Sequence, residues 1–263
     1  MDLRKTGVLV FVLCLSVVRS ALALERGNVL FHLPFEGSLA PAASQGKPQI
    51  KLTDFDLSFE GSFKTVADAA KKDQKLDEKT ENGMDFVPGR KGQGLKVTEN
   101  LGRSKVYSYP CVQYSTKESF SRREGTISVW IKPVGWARDA RNHRYFIAVT
   151  SDNCVIRFYL YSTGTAAWVD GLDNYILVGM KEWGGWADGK WTFLTFTFKP
   201  GQQCFYVNGQ LLTTVTDGLI EPEFSKTGIV EISEGSQVVD ELMIFDRVLT
   251  GAEIEALYKA NLP

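Results

Sequence analysis

The sequence predicts an all-β domain, a sandwich or barrel of consecutive antiparallel strands closed by one short helix. Three observations carry that expectation. Apolar runs of strand length recur between turn signals along most of the chain, the pattern of a sheet protein. Asn208-Gly209 separates Cys204-Phe205-Tyr206-Val207 from Leu211-Leu212, and this dipeptide favours a type I′ hairpin because both central residues adopt positive φ. Thr250, three residues before Glu253, sets up a capping box, in which each side chain accepts from the other's backbone N–H.

Taken in order, the first segment is set apart from the fold. Arg4 and Lys5 precede an apolar run from Val8 to Val18, and Ala21-Leu22-Ala23 has small residues at cleavage spacing. The pattern predicts a secretory signal peptide, residues 1–23, cut after Ala23, with 24–263 as one domain. An uncleaved anchor is the competing reading, opposed by the short run and by Arg19. No second apolar run is long enough to span a bilayer. The expected product is secreted or periplasmic, with no membrane span after signal cleavage. Lys and Arg number 30 against 31 Asp and Glu, so no basic field points to nucleic acid as a partner.

The predicted strands are Asn28 to Phe35, Gly125 to Pro133, Tyr145 to Thr150, Val155 to Ser162, Trp191 to Phe198, Gln203 to Val207, Gln210 to Thr216, Gly228 to Ser233 and Val238 to Phe245. Lys199-Pro200-Gly201 turns the chain before the Asn-Gly hairpin. Ser62 to Asp85, rich in Lys and Ala with little apolar periodicity, is expected to be a solvated connector. Cys14 leaves with the signal peptide. Cys111, Cys154 and Cys204 remain, enough for one disulfide and a spare thiol or for three buried thiols.

The last strand raises a question of its own. With strict alternation Val238, Asp240, Leu242 and Ile244 share one face, and Val239, Glu241, Met243 and Phe245 the other. Both faces are apolar, which predicts a buried strand. A carboxylate buried there costs several kcal/mol unless it is hydrogen-bonded, paired or bound to metal. Asp240 or Glu241 therefore needs a partner. After it, Leu249 and Ile254 form a hydrophobic staple, and Ile254, Leu257 and Tyr258 make the apolar stripe by which the helix lies on the body.

Five stretches resemble one family. Leu30-Phe31-His32-Leu33-Pro34-Phe35-Glu36-Gly37-Ser38 is similar to its first strand, and Val87-Pro88-Gly89-Arg90-Lys91-Gly92-Gln93-Gly94-Leu95 to its glycine-punctuated strand opening. Gly125-Thr126-Ile127-Ser128-Val129-Trp130-Ile131-Lys132-Pro133 resembles a central strand. Trp191 to Phe198 with Phe205-Tyr206-Val207-Asn208-Gly209 resembles the tryptophan strand and hairpin, and Val239-Asp240-Glu241 to Tyr258 the last strand and helix. The family is the laminin-G-like, concanavalin A-like lectin/glucanase superfamily. The resemblance implies a two-sheet antiparallel jelly-roll sandwich with a short C-terminal helix. It also implies a structural calcium where first and last strands meet, with Glu36 and Asp240 as metal ligands. The metal-free alternative has Asp240 cap a turn or pair with Arg247.

Fold alone leaves function open, since this superfamily hosts lectins, adhesion modules, hydrolases and lyases. Its glycoside hydrolases carry a pattern close to Glu-x-Asp-x-x-Glu on one strand; that pattern is absent here, and Glu231-Ile232-Ser233-Glu234 spaces its carboxylates onto opposite faces. The only histidines, His32 and His143, stand in no catalytic motif.

Binding is the favoured expectation. Ile156, Phe158 and Leu160 form a core face, leaving Arg157, Tyr159 and Tyr161 opposite; Trp130 and Tyr206 are placed with Ser128 and Lys132 on a similar polar-aromatic face. Such a face suits a sugar, whose apolar side stacks on rings while its hydroxyls bond to polar groups. The competing reading puts these rings under a second layer. Trp183 and Trp186, between glycines, are further candidates, though their spacing sends them to opposite sides of an extended chain. Trp191 is assigned to the core, and Asp139, Asn142 and His143 to a loop rim. The expectation is a secreted, non-catalytic module for a glycan, a cell-surface glycoconjugate or a protein partner. A glycoside hydrolase or lyase, and an envelope assembly protein, are the alternatives.

Overall fold

The computed structural model describes residues 28–44, 48–56, 64–65, 84–97, 108–117, 123–135, 144–151, 154–161, 164–169, 175–217, 227–232 and 236–260. The predicted signal peptide, most of the predicted connector, and Asp139, Asn142 and His143 lie outside these residues. In chain order the elements are β1 (Val29–Leu33), β2 (Ala43–Ser44), β3 (Gln49–Asp56), β4 (Lys64–Thr65), β5 (Met84–Pro88), β6 (Gln93–Val97), β7 (Ser108–Lys117), β8 (Gly125–Pro133) and β9 (Arg144–Ser151). There follow β10 (Cys154–Tyr161), β11 (Gly164–Val169), β12 (Tyr175–Gly179), α1 (Met180–Trp183), β13 (Thr192–Lys199), β14 (Gln202–Val207), β15 (Gln210–Val215), β16 (Thr227–Ile232), β17 (Gln237–Phe245) and α2 (Gly251–Ala260).

These strands build two antiparallel sheets, the jelly-roll sandwich that the sequence predicts. The first runs β15-β14-β13-β8-β17-β1-β2, with β6 also on β17 and β5 on β6; the second runs β12-β11-β10-β9-β16-β7-β3-β4. The Asn208-Gly209 hairpin forms with φ of 52° and 80°, joining Val207 directly to Gln210 across the ladder. Alternation then decides what is buried. Ile127, Val129 and Ile131 of β8, with Leu194, Phe196 and Phe198 of β13, face Val112, Tyr114, Ile156, Phe158, Val230 and Ile232 of the second sheet in one core. Phe158 meets Phe196 and Phe205 edge-on at 6.4 and 6.1 Å, and Phe31 meets Tyr114 at 5.6 Å. Each such ring contributes about 1.5–3 kcal/mol by leaving water.

The closing helix makes a second, smaller core on the outer side of the first sheet. Leu249 and Ile254 are buried there with Trp130, Phe193, Tyr206 and Phe245. The capping box forms: Thr250 N donates to Glu253 Oε2 at 2.8 Å, and Glu253 N to Thr250 Oγ1 at 3.3 Å. Trp191, assigned to the main core, packs half-buried against this outer cluster instead.

Strict alternation fails in β17. Asp240 pairs with Trp130, but Met243 pairs with Ser128, so one extra residue is inserted between them. Glu241 takes it up at φ 48°, which bends the strand as a β-bulge does. Asp240, Met243 and Phe245 therefore sit opposite Trp130, Ser128 and Thr126, while Val239, Leu242 and Ile244 join the main core. The predicted grouping of Asp240 with Leu242 and Ile244 is corrected by that insertion.

Candidate functional site

On the second sheet, the residues that alternate with the core form an outward row. In register across the ladders stand Gln113, Glu231, Ala148 and Arg157, on β7, β16, β9 and β10; the same backbone register continues to Trp168 of β11 and Tyr175 of β12, whose side chains lie outside the described residues. Gln113 Nε2 donates to Glu231 Oε2 at 2.8 Å, which fixes the carboxylate. Beside it runs a second row, Ser115, Ile229, Thr150 and Val155. Ser115 is exposed, Ile229 is 37% exposed, and Glu231, Thr150, Val155 and Arg157 are half-buried. This face thus offers a carboxylate and a guanidinium beside a small residue, Ala148, with the buried Gln113 amide engaged in holding the carboxylate. Such a set bonds to hydroxyl or peptide groups laid across the strands.

Of the predicted binding residues, Arg157 stands in this row. Tyr159 is in register with Tyr145 and Ala166, and Tyr161 with Gly164; their side chains lie outside the described residues. Glu231 lies on a predicted strand but was weighed only as a catalytic carboxylate, whereas Gln113 was not expected because β7 is not among the predicted strands. The signal was present in the alternation of Val112 and Tyr114 against Gln113 and Ser115, masked by Pro110. Proline is tolerated there because it lies beyond the β16 pairs, which end at Val112, and faces only Asp54 of β3 among the described strands.

Trp130 and Tyr206 do not join that face. Both lie on the outer side of the first sheet, across the sandwich from Arg157, and the closing helix covers them. Trp130 is 1% exposed and Tyr206 8%. The Tyr258 ring stacks on Trp130 at 5.4 Å, and the Arg90 guanidinium lies 4.5 Å from the centroid of the Trp130 indole. The second-layer reading is the one the structure bears out for these two rings. Burial also pushes the Tyr206 hydroxyl above its ordinary pKa, and the neighbouring Cys204 adds to that. Cys204 and Cys111 are buried thiols, as in the thiol alternative weighed from sequence; the Cys154 side chain lies outside the described residues.

Trp183 and Trp186 are brought together, contrary to their expected divergence. The helical turn of α1 and two left-handed glycines, Gly184 at φ 88° and Gly185 at φ 74°, reverse the chain between them. Their rings meet at right angles, 5.3 Å apart, and Trp186 rests edge-on against Phe146 at 5.2 Å. Both are half-buried and pack on the main core.

The carboxylates at the meeting of first and last strands take another arrangement. Asp240 is fully buried; its Oδ2 accepts from Arg90 N at 2.7 Å and Lys91 N at 3.0 Å, and its Oδ1 from Glu241 N at 2.8 Å. Burial pushes its carboxyl up to about 7, against the pull of the Lys91 and Arg90 amides and with help from the charge of Glu241. Glu36 is exposed and accepts from Gln93 N at 3.0 Å. Glu241 is 1% exposed; its Oε2 lies 3.0 Å from His32 Nε2, and its Oε1 is buried with no hydrogen-bond partner among the described residues. Arg247 pairs with Glu253 in a two-pronged contact at 2.9 and 2.7 Å, which removes it as a partner for Asp240.

Calcium takes six to eight oxygens at about 2.3–2.6 Å. Here Glu36 Oε2 and both oxygens of Asp240 already accept from N–H groups, whose dipoles oppose a cation, and the buried Glu241 Oε1 is a neighbouring carboxylate oxygen with no partner among the described residues. Among the described residues no three His, Cys, Asp or Glu side chains cluster for a metal ion. The implied pair alone thus supplies too few uncommitted oxygens to fit a calcium centre.

This architecture, two apposed sheets with one outer face covered by a helix and the other carrying polar rows, defines a lectin-like jelly-roll. The chain belongs to the concanavalin A-like lectin/glucanases superfamily, whose family model matches residues 108–255. No curated protein matches it in sequence. Among solved structures it is similar to domain 4 of AbnA, a GH43 extracellular arabinanase from Geobacillus stearothermophilus, in complex with arabinotriose: TM-score 0.61, 17% identity, covering 88% of this chain and 98% of that one. It is similar also to the binding domain of botulinum neurotoxin DC in complex with rat synaptotagmin II, at TM-score 0.61 and 16% identity, covering 89% of this chain and 51% of that one. The binding domain of Paraclostridial Mosquitocidal Protein 1 gives TM-score 0.62 and 16% identity, with 89% and 52% covered. The chain spans about half the length of the toxin domains it matches. At these identities the likeness is one of fold.

Proposed function

We propose that the chain is an exported, non-catalytic module that binds carbohydrate, or a glycan-bearing cell surface, through the outer face of the second sheet. The observation that carries this reading is the row Gln113, Glu231, Ala148, Arg157. It sets a held carboxylate and a guanidinium on either side of a small residue. A sugar lying across the strands would bond its hydroxyls to the charged pair. Support comes from the arabinotriose complex of the similar arabinanase domain.

The test is binding to a glycan array and a polysaccharide panel, with Arg157→Ala and Glu231→Gln as variants. A hit weakened at least tenfold by either variant, with unfolding temperature unchanged, is expected. Hits indifferent to both variants would place binding elsewhere, and no hit at all would remove the sugar reading. A protein partner is the second reading, favoured by Ile229, whose exposed apolar side chain adjoins the same row. The similar toxin domain in complex with synaptotagmin II supports it. Co-purification of a partner that survives glycosidase treatment is its sign.

A further inference from the structure

β17 changes neighbours halfway along its length. On one side it follows β8; on the other, Gln237–Val239 pair with β6 and Leu242–Phe245 with β1. β6 and β1 thus share one flank of β17, and the bulge at Asp240 and Glu241 falls where one ends and the other begins. The 89–93 turn between β5 and β6 closes on itself through Gly89 N donating to Gly92 O at 3.0 Å. Three further amides point out of the turn: Arg90 N and Lys91 N to Asp240, and Gln93 N to Glu36.

We propose that Glu36 and Asp240 form a cation-independent lock, two carboxylates that grip one turn by its backbone amides and so fasten β5 and β6 to the first and last strands. Three features support this. Amide bonds to an ionised carboxylate, the form Asp240 takes above about pH 7, are charge-assisted and stronger than neutral ones. The glycines of the turn are the residues that let it approach: a Cβ on Gly92 would collide with the Glu36 carboxylate, and one on Gly89 would lie 2.6 Å from Asp240 Oδ2. Asp240 Oδ2 already accepts from two turn amides, so a cation would have to displace the turn to take that oxygen. The turn amides therefore take up the carboxylate oxygens that family resemblance assigns to calcium.

The test is hydrogen exchange at single amides of the purified chain, in EGTA and in millimolar calcium, with thermal unfolding in both. Equal protection of the Arg90, Lys91 and Gln93 amides and an unchanged unfolding temperature are expected. Asp240→Ala should speed exchange at Arg90 and Lys91 at least tenfold, and Glu36→Ala should do so at Gln93. If Asp240→Ala does not fold, Glu36→Ala, which alters an exposed side chain, and the calcium comparison still decide. Two results overturn the lock: a rise in unfolding temperature with calcium that Glu36→Ala abolishes, or turn amides indifferent to loss of the carboxylates.

Discussion

Tyr258 stacks on Trp130, the ring centroids 5.4 Å apart and the planes 22° from parallel, with Arg90 4.5 Å from the same indole centroid. One buried side chain thus joins β8, the closing helix and the turn before β6. Trp130→Ala should cost about 3–5 kcal/mol, because a fully buried ring leaves a cavity that cannot collapse. Tyr258→Ala should cost roughly 1–2 kcal/mol, the loss of one half-buried ring and its stacking. Urea unfolding measures both. Ligand affinity in Tyr258→Ala should stay at the wild-type value, since the helix lies across the sandwich from Arg157.

The contact between Arg247 and Glu253 gives the helix an acid-sensitive cap. The Arg247 guanidinium, bonded at both prongs, holds the Glu253 carboxyl down to about 2, and the Thr250 amide and hydroxyl assist. A depressed folded-state pKa contributes stability above the unfolded value, and that contribution is lost as pH falls from about 4.5 toward 2. Both side chains are about one-third exposed, so solvent weakens the pair. Glu253→Gln should cost about 1 kcal/mol at neutral pH, the worth of a cap. Urea midpoints of variant and wild type should converge near pH 2.

What the sequence disclosed follows from where its information is local. The Asn208-Gly209 turn and the Thr250–Glu253 cap are written in adjacent residues, and both formed. Strands with clean apolar alternation, such as β8, β10 and β13, were legible. β3, with its charged residues, and β11, with Gly164, Ala166 and Ala167, were not, because their stability comes from neighbouring strands rather than from propensity. The candidate row was half legible: parity found Arg157, but Glu231 and Gln113 become its neighbours only through strand order. Parity also could not tell that Trp130 and Arg157 lie on opposite outer faces, which is a property of sheet assignment. The Glu241 bulge has no glycine to announce it.

Gly92 tests the tightness of the turn against Glu36. It sits at φ 57°, and a side chain there would meet the Glu36 carboxylate. Gly92→Ala should destabilise by roughly 1–3 kcal/mol, from left-handed strain and from the collision. In a Glu36→Ala background the collision vanishes, and the cost should fall to the strain alone, about 1–2 kcal/mol. A double-mutant cycle by urea unfolding reads the coupling; additive costs would mean that the carboxylate swings away without penalty.

Asp240 predicts an unusual pH dependence. Its carboxyl is raised from 3.8 to about 7, chiefly by burial. Between those values the folded chain holds a proton that the unfolded chain has released. Stability from this group therefore increases as pH falls from above 7 toward 4, and levels off below, at on the order of 1 kcal/mol per pH unit. The Glu253 contribution runs the other way, but only below about 4.5, so the two windows separate. Thermal unfolding of wild type from pH 8 to pH 5 should show a rising midpoint, and Asp240→Asn, which carries no titrating group there, a flatter one. The opposite slope in wild type, lost in Asp240→Asn, would mean that the Arg90 and Lys91 amides outweigh burial and keep the carboxylate ionised.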